Sequence, residues 1–171
     1  MSGTNLTREE AGVRSSLVSN PHYVIDLDLS TREETFASKT VVNFNATPGS
    51  STWIDFIAPM VNSITLNGAA IDLKSHDGFR IHLENLAESN ELIVDARAAY
   101  MNTGEGLHRF IDPVDDEVYL YTQFEIADAR RVFTCFDQPD LKGTFQFTIT
   151  APNHWKVVSN SATPSPSSAG D

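Results

Sequence analysis

The feature that most restricts what this chain can fold into is a hydrophobic period of two that recurs about every ten residues from Pro21 onward. Tyr23, Ile25, Leu27 and Leu29 alternate with Val24, Asp26, Asp28 and Ser30, so one face of an extended segment is apolar and the other wet. Val42, Phe44 and Ala46 repeat the pattern, as do Ile54 and Phe56, then Leu92, Val94 and Ala96. Phe79, Ile81 and Leu83 alternate with Arg80, His82 and Glu84. Ile64 and Leu66 run into Asn67-Gly68, a pair that tolerates the positive φ of a tight hairpin turn, and Ile71 and Leu73 follow it. The expected fold is all-β, an antiparallel saddle or sandwich.

One helix precedes the strands. In "TREEAGVRSSLV", Thr7 and Glu10 stand at the spacing where an N-cap hydroxyl and an N3 carboxylate satisfy each other's backbone donors. Val13 and Leu17, four apart, are expected to form its buried face. Residues 1–20 are thus a helical segment and 21–160 the β domain, whose last part, "TFQFTITAPNHWKVVSN", reads as two strands. Residues 161–171, "SATPSPSSAGD", have a tail or linker composition with nothing to bury.

With 171 residues and 40% hydrophobic content, the chain can bury one substantial core. Its 12 Lys and Arg against 23 Asp and Glu leave a net charge of -11, which repels phosphate backbones and argues against nucleic acid as a partner. The single cysteine, Cys135, excludes an intrachain disulfide, and no apolar run reaches the roughly 20 residues that span a bilayer. The expected setting is cytoplasmic and reducing, away from the membrane.

Catalytic signatures are missing. The five histidines never fall four apart on a helical segment and there is no Cys pair, so no metal site is expected within the chain. Cys135, among the apolar neighbours of "VFTCFDQ", reads as a small buried hydrophobe. "NTGEGLH" has the wrong glycine spacing for a phosphate loop, and Asp115-Asp116 reads as solvated turn charge. The segment "AYMNTGEGLHRFIDPVDDEVYLYTQFE" breaks the strand rhythm and reads first as a surface excursion. Period two along "EVYLYTQFE" nevertheless sets Tyr119, Tyr121, Gln123 and Glu125 on one face and Val118, Leu120, Thr122 and Phe124 on the other. Spacing alone leaves that polar face open between a cleft lining and a solvated sheet face.

The run "YLYTQFEIADARRVFTCFDQPDLKGTFQFTITAP", preceded by "MNTGEGLHRFIDP" and followed by "WKVVSN", closely resembles the N-terminal domain of the aminopeptidase N family of zinc metallopeptidases, in its actinobacterial form. The resemblance runs from about Pro21 to Asn160 and rests on Thr-Gln-x-Glu, Asp-Ala-Arg-Arg and Cys-Phe-Asp-x-Pro in order. It implies a β saddle stacked against a separate catalytic domain, which carries a His-Glu-x-x-His zinc helix and a Gly-x-Met-Glu-Asn motif; neither motif is in this sequence. It also implies that Gln123 and Glu125 reach the active site and bind the first residue of a peptide with a free N-terminus, while zinc is held by the catalytic domain. The chemistry agrees, since a carboxylate such as Glu125 holds an α-ammonium group by a charge-assisted hydrogen bond and a neutral amide such as Gln123 closes a side-chain pocket without selecting charge.

The remainder of the run is expected to be scaffold. A short helical segment near 127–133 carries Arg130 and Arg131, at least one of which should pair with a carboxylate such as Asp137. Asp140 is expected to cap the turn "LKGTF", and Phe133 and Phe136 to be core. Thr134 stands where the family often has Pro before the Cys, which loosens the local turn. A different class of function, a binding or adaptor module using the Tyr119 and Tyr121 face, is the alternative reading.

Overall fold

The computed structural model of the chain describes residues 5–30, 34–125 and 127–169. Helix α1 (Arg8–Leu17) begins with the anticipated capping box: Thr7 Oγ1 accepts from the Glu10 N–H at 3.2 Å, and the Glu10 carboxylate accepts from the Thr7 N–H at 2.8 Å. The face on which the helix docks differs from the expected one. Val13 is 49% exposed, whereas Arg14 is completely buried and Leu17 packs against the core only in part. The Arg14 guanidinium lies 5.2 Å from the centroid of the Trp53 ring and 5.8 Å from that of Phe136. It donates from Nη1 to Asp55 at 2.6 Å and from Nε to Gln138 at 2.5 Å. A buried cation is tolerated when it is paired and its flat faces lie on aromatic rings, and four-residue spacing of apolar residues cannot reveal that partnership.

Ten strands follow among the described residues: β1 (Val18–Asp28), β2 (Thr35–Ala46), β3 (Thr52–Asp55), β4 (Met60–Leu66), β5 (Ala69–Ala70), β6 (Arg80–Leu83), β7 (Ser89–Ala99), β8 (Gly106–Ile111), β9 (Val118–Gln123) and β10 (Thr144–Thr150). A six-stranded sheet has the order β10-β1-β2-β7-β4-β5, and β3-β6 and β8-β9 form separate pairs. The long strands alternate as their sequences demand. Tyr23, Ile25 and Leu27 of β1, Val42 and Phe44 of β2, and Leu92, Val94 and Ala96 of β7 all point inward, forming one cluster with Ile54 of β3 and with Ile81 and Leu83 of β6.

Four details correct the sequence reading. Beyond the Asn67-Gly68 turn, where both residues have positive φ, the returning strand is only two residues long, and Leu73 lies exposed in a 3₁₀ turn, Leu73–Ser75, whose Lys74 N–H is capped by Asp72. Arg80 opens β6 buried, donating to Glu10 at 2.6 Å and lying 4.8 Å from the centroid of Trp53. Trp53 is thereby flanked by two guanidinium groups. The segment "WKVVSN" makes no strand, and the described part of 151–169 is irregular. Finally, β10 runs parallel to β1, with Tyr23 opposite Phe145 and Ile25 opposite Phe147, in a sheet that is otherwise antiparallel. Parallel neighbours need a long crossover, and here most of the chain lies between the two strands.

Candidate functional site

The β8-β9 hairpin carries Gln123. Its register sets Gly106 opposite Gln123, His108 opposite Tyr121 and Phe110 opposite Tyr119, so these six residues share one face. His108 stacks on Tyr121 with ring centroids 4.7 Å apart, and its Nδ1 accepts from the Gly104 N–H at 3.0 Å. At the hairpin tip the Tyr119 hydroxyl donates to Asp115 at 2.8 Å. The Glu117 N–H and this hydroxyl together hold the Asp115 carboxyl below its ordinary pKa. The opposite face supplies Leu120, which with Phe124 packs against the core.

The strand ends at Gln123, so Phe124 and Glu125 do not continue it. Glu125 instead turns, and its N–H donates to Gln123 Oε1 at 2.9 Å. The amide oxygen is engaged within the turn, which leaves the amide nitrogen as the free end of Gln123. Both side chains face solvent, while Phe124 between them is anchored edge-on to Phe133 at 5.7 Å. The amide and the carboxylate are therefore carried two residues apart on a turn fixed to the core.

A 3₁₀ turn, Ala129–Arg131, lies just beyond, shorter than the helical segment expected near 127–133; Ile126 is outside the described residues. Arg130 is buried, donates from Nε to the Ala127 carbonyl at 2.8 Å, and offers its own carbonyl to the Ile57 N–H at 2.8 Å. Its backbone N–H, at 3.1 Å, donates to Asp137, whose carboxyl is raised in pKa chiefly by burial. Arg131 pairs with Asp128 at 2.7 Å and Glu105 at 3.4 Å. Phe133 and Phe136 are core, and burial raises the Cys135 thiol well above its ordinary pKa, leaving little thiolate for nucleophilic chemistry. Asp140 does not cap the following turn; it accepts from the Gln138 side chain at 2.8 Å, the contact that Gln138 makes while also holding Arg14.

Behind the Phe124 turn a largely apolar cleft of about 430 Å³ is lined by Tyr23, Phe124, Phe133, Leu141, Phe145 and Phe147 among others. Among the described residues no three His, Cys, Asp or Glu side chains converge to hold a metal, so this part of the chain does not fit a zinc ion. Gly106 stands across the ladder from Gln123, with Arg131 against Gly106 and Glu105 paired to Arg131, a neighbourhood that no local pattern in the sequence reveals. The one local sign is the glycine Gly106 in "GEG".

No helix of the described residues is long and apolar enough to cross a membrane. The chain is 54% identical over 171 residues to an aminopeptidase N of Streptomyces lividans, an alignment covering 97% of this chain and 20% of that protein. It is 29% identical to an alanine/arginine aminopeptidase of Saccharomyces cerevisiae, over 81% of this chain and 18% of the relative. The chain thus spans about a fifth of the length of these relatives. In fold it resembles an M1 zinc metallopeptidase of Deinococcus radiodurans, with TM-score 0.64 and 18% identity over 80% of this chain and 33% of the other. A yeast LTA4 hydrolase is similar in fold too, with TM-score 0.65 and 19% identity over 81% of this chain and 23% of the other. Residues 19–169 match the peptidase M1 N-terminal domain, and with that match covering most of its length the chain belongs to the peptidase M1 family, as its N-terminal domain.

Proposed function

We propose that this chain is the substrate-facing shell of a zinc-dependent aminopeptidase that removes N-terminal amino acids from peptides, and that Gln123 and Glu125 hold the first residue of the substrate. The observation that carries the reading is the 54% identity to the Streptomyces aminopeptidase N across nearly the whole chain. The Deinococcus metallopeptidase, similar in fold at TM-score 0.59, has been crystallised with a Tyr-Ser-Ala substrate. The adaptor alternative is set aside because relatives matched over the same stretch are aminopeptidases.

The geometry suits the role. A free α-ammonium group needs an acceptor of opposite charge; the Glu125 carboxylate, exposed in this domain, is open to offer one, and the cleft is dried by the remainder of the protein in this reading. The Gln123 amide nitrogen beside it presents a neutral donor to the wall of the first side-chain pocket. Zinc, which activates the attacking water in such enzymes, is held by the remainder of the protein in this reading, so hydrolysis requires both parts. A cytoplasmic location completes the proposal and agrees with a lone buried thiol.

The test is Glu125→Gln in the full-length enzyme. Loss of the charged hydrogen bond is expected to lower kcat/KM by about one to two orders of magnitude, with the fold intact by circular dichroism. An unchanged kcat/KM in a folded variant removes Glu125 from the site.

A further inference from the structure

Resting on the reading of Gln123 as a substrate contact, we propose that Arg131 is a positioning residue for it, acting through Gly106, and so helps set the enzyme's preference for the first side chain. Gly106 lies directly across the β8-β9 ladder from Gln123. It has φ of 61°, and a Cβ built there would stand 2.9 Å from Arg131 Cβ and 3.4 Å from Arg131 Cδ. The stem of Arg131 thus occupies the space that any side chain at 106 would need. Its near end is fixed to the backbone and cannot swing aside.

The head of Arg131 is held at two points. Nε donates to Asp128 at 2.7 Å within its own turn, and Nη2 reaches Glu105 at 3.4 Å, the residue immediately before Gly106. One guanidinium therefore ties the start of β8 to the 3₁₀ turn, using the planar fork that lysine lacks. That turn is itself fastened to the body of the domain through the Ile57 N–H to Arg130 carbonyl bond and through Ser38, whose hydroxyl donates to the Val132 carbonyl at 2.7 Å. The hairpin is not part of the six-stranded sheet, so its place relative to the core depends on such attachments. Moving the Gly106 end moves Gln123 with it, because the two are a ladder pair. A displacement on the order of 1 Å at a binding group is enough to cost a large part of its effect.

The experiment is a double-mutant cycle in the full-length enzyme, comparing kcat/KM for leucyl and alanyl anilides with wild type, Arg131→Ala, Gln123→Ala and the double variant. Gln123→Ala is expected to change the leucyl-to-alanyl ratio by about tenfold, the scale of one lost pocket contact. Arg131→Ala is expected to shift the ratio the same way by at least about threefold, and to add nothing once Gln123 is already Ala. Arg131→Lys, which keeps the stem and the charge but loses the fork, should fall between. If Arg131→Ala does not fold, Arg131→Lys carries the same cycle. A ratio shifted by Gln123→Ala and untouched by either Arg131 variant overturns the positioning role while sparing the site. Equal shifts by Arg131 variants in both Gln123 backgrounds overturn it too, since Arg131 then acts independently. A ratio unmoved by Gln123→Ala sinks the substrate-contact reading and the proposal together.

Discussion

Arg14 of the N-terminal helix donates to Asp55 of β3 at 2.6 Å with the arginine side chain wholly buried and the aspartate nearly so. This pair fastens the helix to the sheet, and Gln138 and the rings of Trp53 and Phe136 complete its enclosure. Removing one partner of a buried pair strands the other charge, so Arg14→Ala is expected to destabilise the domain by about 3–5 kcal/mol in urea denaturation. Replacing both, as Arg14→Met with Asp55→Leu, should cost clearly less than Arg14→Ala alone. Equal costs would mean that packing and not the stranded carboxylate dominates.

The second ion pair of this region makes stability depend on pH. Hydrogen bonding from Arg80 holds the Glu10 carboxyl down to about 2, from an ordinary 4.5. A carboxyl depressed in the folded state contributes its full stabilisation above the unfolded value and loses it as pH falls from about 5 towards 2. With the Glu10 side chain 29% exposed, solvent screening limits the contribution to about 1 kcal/mol. Asp137, raised by burial, works in the opposite direction: its protonation on acidification favours the fold and blunts the loss. Denaturation midpoints measured from pH 7 to pH 2 should fall less steeply in Glu10→Gln than in wild type. Parallel curves would remove Glu10 from the acid sensitivity.

Thr134 is completely buried, and its hydroxyl has no hydrogen-bond partner among the described residues. An unsatisfied buried hydroxyl keeps its desolvation cost without return, so Thr134→Val should stabilise the domain by about 1 kcal/mol. A raised midpoint at unchanged m-value is the expected result; a lowered one would show that the hydroxyl is satisfied in solution.

Strand β10 is the outermost strand of the six-stranded sheet, and Phe145 and Phe147 on it are 51% and 45% exposed. An open edge beside exposed aromatic surface invites pairing between copies, opposed here by a net charge of -11. The 171-residue chain should therefore associate increasingly as salt shortens the Debye length below about 8 Å, and Phe147→Lys should suppress that association. Sedimentation velocity across a salt series decides the matter: a monomer at every salt concentration contradicts the expectation.

The elements legible in the amino-acid order are those whose signal is local. Period two in β1, β2 and β7 follows from one buried face per strand, Asn67-Gly68 from the positive φ of its turn, and the Thr7-Glu10 box from backbone groups three residues away. Thr-Gln-x-Glu, a contiguous motif, marks the two polar groups proposed for the site, Gln123 and Glu125. Other features depend on residues far apart in the chain and emerge only in the folded domain. Arg14 replaces Val13 on the buried helix face because Asp55, Trp53, Phe136 and Gln138 converge to receive it. The parallel placement of β10 beside β1 leaves no mark in either strand's alternation, since period two is the same in both directions. Gly106 beneath Arg131, and Glu125 turned back onto Gln123, arise where a hairpin meets a 3₁₀ turn. Local pattern reports which face of a segment is dry; which partners make it dry is settled only when the segments meet.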